Sequence, residues 1–164
     1  MAASTLHAIS GGRFVLGLGT STAQLAEGLH DTPFGAPIAR MRRTVTQVRA
    51  LLRGERIPLA VTTNARALKL NVPPAPDLPI YLAALGDAST RLAGELADGW
   101  MPFLYPRAQL TTGIERLCEG AARGVGPDPS RFPCAAPAGV AASSSRYMPL
   151  MICSSVPGLR PGIG

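Results

Sequence analysis

A glycine-rich segment near the N-terminus combines a flexible backbone with hydroxyl side chains. Gly17-Leu18-Gly19-Thr20-Ser21 stands where the apolar run 13–18 would end as a strand. Glycines let a ligand approach the backbone closely, and free N–H groups together with the hydroxyls of Thr20 and Ser21 can hold a phosphate or a ring oxygen. On spacing alone, an ordinary strand-to-helix turn is favoured, with a ligand-binding turn as the alternative.

A second segment of this type is Ala84-Leu85-Gly86-Asp87-Ala88-Ser89, which follows an apolar run from Ile80 and precedes a segment of helical period. At a helix N-terminus, exposed N–H groups and the macrodipole favour an anion. The competing interpretation is that Asp87 or Ser89 simply caps the helix. The candidate binding residues of the two segments are Gly17, Gly19, Thr20, Ser21, Ala84, Leu85, Gly86, Asp87 and Ser89.

Three sharper motifs do not fit the first segment. A dinucleotide-binding fingerprint needs Gly or Ala where Thr22 stands. A P-loop needs a lysine after its last glycine, and the only lysine is Lys69. A hydrolase nucleophile elbow at Ser21 requires a histidine far downstream, whereas His30 is the last histidine of the chain. The segment therefore carries none of these three motifs.

The remaining ionisable residues do not form a recognisable catalytic set. His7 and His30 are isolated in the sequence, and a lone histidine is more often structural. Asp98, before Gly99-Trp100, is expected to cap or brace a strand. The cysteines are odd in number and lack metal-ligand spacing, which argues against a disulfide framework and a zinc site and favours small buried apolar side chains; they are Cys118, Cys134 and Cys153.

Two longer stretches carry a family resemblance. Residues 10–21 read SGGRFVLGLGTS, and residues 79–100 read PIYLAALGDASTRLAGELADGW. Both resemble, in the family's order, the strand-to-loop junctions beside the bound flavin or deazaflavin of luciferase-like monooxygenases, and the likeness is greatest to the branch that uses the deazaflavin coenzyme F420. The chain departs from the family at Asp87, where members usually have proline.

The resemblance implies an oxidoreductase or monooxygenase that binds coenzyme F420 or FMN through the two candidate segments, together with a small-molecule substrate. It implies no catalytic residue here, because the family's main acid and base groups lie in earlier strands. The substrate, the choice between F420 and FMN, and whether this chain is active by itself are left open.

The pattern of elements predicts an α/β fold. Apolar runs at 13–18, 80–85, 99–104 and 134–142 have the continuous hydrophobicity of strands covered on both faces. Helical spacing separates them, as in Met41, Val45, Val48 and Leu52. The alternation predicts parallel strands with outer helices, as in a (β/α) barrel of the TIM type. A proline-rich excursion is expected at 57–78, and the first nine residues are expected to end a helix.

The length of the chain limits this barrel. A complete one takes about 250 residues, and the chain has 164. We therefore expect a partial barrel domain at 1–142, incomplete at both ends, and an atypical, disordered tail at 143–164, where the family pattern stops. The alternative is a non-enzymatic remnant from truncation or a shifted reading frame, or a half-barrel that functions only by association, as a homo-oligomer through its open sheet edges.

Composition excludes other classes. The formal net charge is +6, yet the basic residues are spread along the chain without interleaved aromatic residues, which argues against nucleic-acid binding. Arg40, Arg42 and Arg43 form the only close group, which fits a solvated helix face. No apolar run is long enough to span a membrane, and the first residues lack the pattern of a signal peptide. We expect a cytoplasmic protein without a metal site.

Overall fold

The computed structural model describes residues 1–62, 64–124 and 152–153. The chain divides into two compact units, Met1–Ala83 and Ala84–Gly164. The first unit contains helix α1 (Ala2–Ile9), strand β1 (Leu16–Gly19), helices α2 (Ala23–Gly28) and α3 (Pro37–Leu52), and strand β2 (Ile80–Ala83). The second contains helix α4 (Asp87–Leu96), strand β3 (Gly99–Trp100), helix α5 (Leu110–Ala121) and strand β4 (Ile152–Cys153).

The core of the first unit is a parallel strand pair. β1 pairs with β2 from Leu16 opposite Ile80 to Gly19 opposite Ala83. Because β2 is buried along nearly its whole length, its sequence is apolar without alternation, whereas β1 alternates between half-buried and exposed residues. The predicted parallel pairing of these two apolar runs is confirmed, although each strand is shorter than predicted.

The helices of the first unit follow the predicted periodicity in most places. Met41, Val45 and Leu52 form the buried stripe of α3. The helix begins at Pro37, where proline costs no hydrogen bond because a first-turn N–H has no intrahelical acceptor. The predicted excursion is also found, since the described residues between Leu52 and Ile80 contain neither helix nor strand. The short helix α2 was not predicted.

The second unit is built on close packing of α4 against α5. Glycines lie at the contact: a Cβ added at Gly94 would meet the backbone carbonyl of Leu117, and one added at Gly120 would meet that of Arg91. Leu92 and Leu117 are almost fully buried. The absence of a side chain at both glycines lets the two helix backbones approach to a distance that no other residue would allow.

The strands of the second unit are short. β3 pairs antiparallel with β4, Gly99 opposite Cys153 and Trp100 opposite Ile152. The strand expected at 99–104 is thus present as two residues, and the one expected at 134–142 lies outside the described residues. β4 falls in the segment 143–164, whose character as a tail stays a prediction. Within the described part of the chain, no helix is long and apolar enough to cross a membrane.

Candidate functional site

The first candidate segment lies at the carboxyl end of β1. Gly17 and Gly19 are exposed residues of the strand itself, and Thr20 follows it directly. Ser21 has a φ of 62°, in the left-handed region, and reverses the chain into α2. Since β1 and β2 are parallel and end in register, the chain leaves both strands at the same edge of this pair. In parallel α/β folds, that edge is where ligands bind.

A cavity opens beside this segment, within the first unit. Its volume is about 120 Å³, and α3 supplies one wall. Arg40 contributes a guanidinium group that donates to the backbone oxygen of Pro33 at 3.0 Å. The cavity is mainly apolar; it is lined by Leu18, Gly19, Thr20, Phe34, Pro37, Arg40, Met41 and Thr44.

The second candidate segment joins β2 to α4. Gly86 is the N-cap residue of α4, in an extended conformation, and no side chain caps the helix. The Ser89 hydroxyl donates instead to the Gly86 carbonyl oxygen at 2.8 Å. The expected capping by Asp87 or Ser89 is therefore wrong, because neither side chain accepts from the first-turn N–H groups. These groups have no intrahelical partners, so an anion at this end of α4 would find free donors.

The carboxylate of Asp87 is occupied by arginines of the helix pair. Arg116 on α5 lies 3.1 Å from it, and Arg91, one turn along α4, lies 3.8 Å away. Both arginines also pair with Glu119. The hydrogen bond from Arg91, followed by contacts with Arg116, lowers the pKa of Glu119, and Glu119 in turn raises the pKa of Arg116. Two cations thus offset two carboxylates near the α4 N-terminus.

Aromatic residues surround the start of the second segment. The indole Nε1–H of Trp100 donates to the Ala84 carbonyl oxygen at 2.8 Å in a buried hydrogen bond. Tyr105 packs edge-on against the Trp100 ring, with centroids 5.2 Å apart. Burial, and secondarily the charge of Asp87, raises the pKa of Tyr105, which keeps its hydroxyl protonated. Leu85, between these groups and Gly86, is 55% exposed.

The other ionisable residues discussed above stand apart from a catalytic arrangement. His7 is buried, with its ring nitrogens 3.4 Å from the Phe14 oxygen and 3.4 Å from Asp77. His30 is exposed, and Asp98 is buried and has an interaction partner. Among residues 1–62, 64–124 and 152–153, no three metal-binding side chains come together.

The interpretation of all three cysteines as small buried apolar side chains is wrong for one of them. Cys118, on α5, is disulfide-bonded. An odd number of cysteines leaves at least one unpaired but still allows one pair, so the count excluded a complete framework and not a single bridge.

Sequence reasoning also missed several groups near the candidate segments. The Asp87 and Arg91 pair has i,i+4 spacing on one helix, so it could have been found from the sequence. Arg116 and Trp100 reach the second segment from 29 and 16 residues away, and only the tertiary fold brings them there. Arg40 is exposed, as expected for a solvated helix face, and it also lines the cavity beside Gly19.

The chain belongs to the luciferase-like monooxygenase family, whose model matches residues 1–151. A Mycobacterium tuberculosis relative whose name contains the words coenzyme F420-dependent oxidoreductase is 39% identical over 137 residues, or 75% of this chain and 40% of that protein. An F420-dependent glucose-6-phosphate dehydrogenase of Beutenbergia cavernae is 33% identical over 130 residues, or 73% of this chain and 37% of that protein. The chain thus spans about 40% of the length of these relatives.

Solved structures confirm the fold class. The match to an F420-dependent secondary alcohol dehydrogenase, solved with an F420-acetone adduct, has a TM-score of 0.64 at 22% identity. It covers 79% of this chain and 41% of the dehydrogenase chain. The match to the coenzyme F420-dependent tetrahydromethanopterin reductase of Methanopyrus kandleri has a TM-score of 0.58 at 22% identity. It covers 74% of this chain and 40% of the reductase chain. At this identity the likeness concerns the fold alone: this chain is α/β and corresponds to part of a (β/α) barrel.

Proposed function

We propose that this chain carries two of the loops that bind the coenzyme in an F420-dependent oxidoreductase of the luciferase-like family. The loop residues are those assigned from the sequence: Gly17, Gly19, Thr20 and Ser21 after β1, and Ala84, Leu85, Gly86, Asp87 and Ser89 before α4. F420 is preferred over FMN because relatives of this chain are named as F420-dependent enzymes. The coenzyme would carry the hydride chemistry, while the loops bind and orient it.

The observation that carries the proposal is the open N-terminus of α4. Gly86 offers no side-chain cap, and Asp87 is held by Arg116 and Arg91. A phosphate group of the coenzyme would therefore meet free N–H groups, the positive end of the helix dipole and two nearby guanidinium groups. Asp87, in the first turn of the helix, is an unfavourable charge, because it repels the same phosphate that the helix attracts.

The repulsion gives a direct test with Asp87→Asn. The variant removes one negative charge and releases Arg116 from its carboxylate partner, so the affinity for F420 should rise about 3- to 10-fold at low salt. Affinity is measured by titrating F420 into the ¹⁵N-labelled chain and following the amide resonances of residues 85–89. FMN and inorganic phosphate are titrated in parallel, since phosphate alone reports the anion site and F420 against FMN reports the choice of coenzyme.

Glu115→Gln is the matched control. Glu115 is exposed on α5 of the same unit, and the substitution changes the net charge by the same amount. We expect it to leave the affinity for F420 within about 2-fold, because exposed charges are largely screened at a distance. Equal affinities in Asp87→Asn and the unmodified chain, or an equal rise in Glu115→Gln, would contradict the assignment of the anion to the α4 N-terminus.

The affinity itself is expected to be low. Productive hydride transfer needs the coenzyme ring and the substrate held from several sides, and this chain spans about 40% of the length of its relatives. We expect a Kd weaker than micromolar and no turnover with alcohol or sugar-phosphate donors. Sub-micromolar binding or F420 reduction by the purified chain would show that it completes the site without further segments.

A further inference from the structure

We propose that Trp100 is a positioning residue for the loop 84–89. Its indole N–H fixes the Ala84 carbonyl oxygen and thereby the direction in which the next amide faces a ligand. The inference rests on the proposed function, since the ligand is the coenzyme assigned to that loop.

The hydrogen bond is buried and geometrically good. Trp100 is fully buried, and its Nε1 lies 2.8 Å from the Ala84 oxygen. An indole has a single donor, and a buried donor or acceptor without a partner costs more free energy than the bond gains. Both the indole N–H and the Ala84 oxygen would lose their partner if the bond broke, so the bond is strongly favoured. It ties β3 to the first residue of the loop.

The peptide plane transmits this constraint. In a trans peptide the carbonyl and the following N–H point in opposite directions. With the Ala84 oxygen directed at the indole, the Leu85 N–H is directed away from it, towards the side of the loop opposite Trp100. Leu85 is 55% exposed, so this part of the loop borders solvent. The loop therefore presents its amide in a fixed direction before any ligand binds.

The indole has little freedom to turn away. The ring plane of Tyr105 stands at 78° to that of Trp100. On α5, Gly113 leaves the space that the ring needs, because a Cβ there would lie 2.7 Å from Trp100 Cη2. A tryptophan that only filled the core could be replaced by another large apolar residue, whereas a positioning tryptophan needs both the ring location and the N–H.

Trp100→Phe separates these roles, because it keeps an aromatic ring and removes the donor. We expect it to weaken F420 binding about 5-fold, the effect of one net hydrogen bond, and to increase hydrogen exchange at the Leu85 and Gly86 amides. Leu117→Val is the control: it removes a buried methylene from the same helix pair without touching Ala84. It should leave F420 affinity within about 2-fold of the unmodified chain.

Gly113→Ala is a second variant that keeps the indole but displaces the ring. The chain has one tryptophan, so its indole N–H gives one resonance, and we expect this resonance to shift and exchange faster in Gly113→Ala. F420 affinity should fall as in Trp100→Phe. If Trp100→Phe does not fold, Gly113→Ala decides whether Trp100 positions the loop 84–89.

The outcomes are distinct. F420 binding of Trp100→Phe equal to that of the unmodified chain, or an equal loss in Leu117→Val, would overturn the positioning role while leaving the proposed function intact. A complete lack of F420 binding by the unmodified chain would refute the proposed function. In that case the exchange data still decide whether Trp100 holds the loop: faster exchange at Leu85 and Gly86 in Trp100→Phe but not in Leu117→Val supports it, and equal exchange overturns it.

Discussion

The two candidate segments have similar sequences but are held by different forces. Residues 17–21 lie on and after a strand whose backbone pairs with β2, and the helix that follows is capped locally by Thr22, whose Oγ1 accepts from the Leu25 N–H at 3.3 Å. Residues 84–89 are held by distant side chains: Trp100 binds the first residue, and Arg116 binds Asp87.

This difference separates local from tertiary positioning. The first segment is held by the backbone pairing of β1 with β2 and by the Thr22 cap, whose donor is three residues away. Its conformation should therefore survive changes elsewhere in the molecule. The second depends on the packing of α4 against α5 and on a buried indole, so it should respond to any change that separates those helices. Substitutions in each unit test this contrast.

Gly120→Ala should have the largest effect. A Cβ at Gly120 would lie 2.7 Å from the carbonyl carbon of Arg91 and still closer to its oxygen. Because this contact is with backbone, no side-chain rotation can relieve it, and α4 and α5 must move apart. We expect a loss of about 3 kcal/mol in the free energy of unfolding, measured by urea denaturation with Trp100 fluorescence as the probe of the second unit.

Gly28→Ala is the matched substitution in the first unit. Gly28 ends α2, and nothing lies within 4 Å of an added Cβ. Alanine should therefore be neutral or slightly stabilising there. Similar destabilisation by the two glycine substitutions would show that the close helix contact does not hold the second unit together.

Thr22→Ala should have an intermediate effect, confined to the first segment. It removes the side-chain cap of α2 and should cost that helix about 1 kcal/mol. The expected signature is faster hydrogen exchange at the Leu25 amide, with the exchange rates of residues 85–89 unchanged. Thr22→Ser keeps the hydroxyl and should behave like the unmodified chain, and equal fraying in both variants would exclude the hydroxyl as the stabilising group.

The contrast also explains what could be predicted from the sequence. The apolar runs predicted β1 and β2 because burial on both faces leaves a continuous hydrophobic pattern, and the period of Met41, Val45 and Leu52 predicted α3. The second glycine-containing segment was placed correctly after a strand, whereas Gly17 and Gly19 of the first segment lie within β1. Each of these signals is local.

What the sequence could not provide depends on long-range contacts. Whether Asp87 caps α4 or binds Arg116 is decided by the approach of α5, and an N-cap preference alone favours the wrong answer. The partner of the Trp100 indole and the cavity beside Gly19 likewise require the packed structure. The disulfide at Cys118 was missed because counting and spacing of cysteines cannot assign a single pair.

The smallest expected effect is a pH dependence of the second unit that runs through Glu119. Hydrogen bonding by Arg91, and then by Arg116, lowers the pKa of Glu119 below its ordinary value of 4.5. A carboxyl group whose pKa is lower in the folded state stabilises that state above the unfolded pKa, and the stabilisation is lost as pH falls through the folded value. The contribution should therefore be constant well above pH 4.5 and be lost as pH falls below that value. Urea midpoints read from Trp100 fluorescence should fall across the acid range less in Glu119→Gln than in the unmodified chain, and added salt should reduce the difference, because the pairs are partly exposed.

Glu55, whose pKa is lowered by the neighbouring Arg53, provides the comparison in the first unit. Glu55→Gln removes an acid of the same type from an exposed pair two residues apart, so it should leave the Trp100 transition unchanged at every pH. If Glu119→Gln retained the full acid sensitivity of the unmodified chain, the arginine cluster would not stabilise the helix pair, and Asp87 would have to be held at the α4 N-terminus by other means.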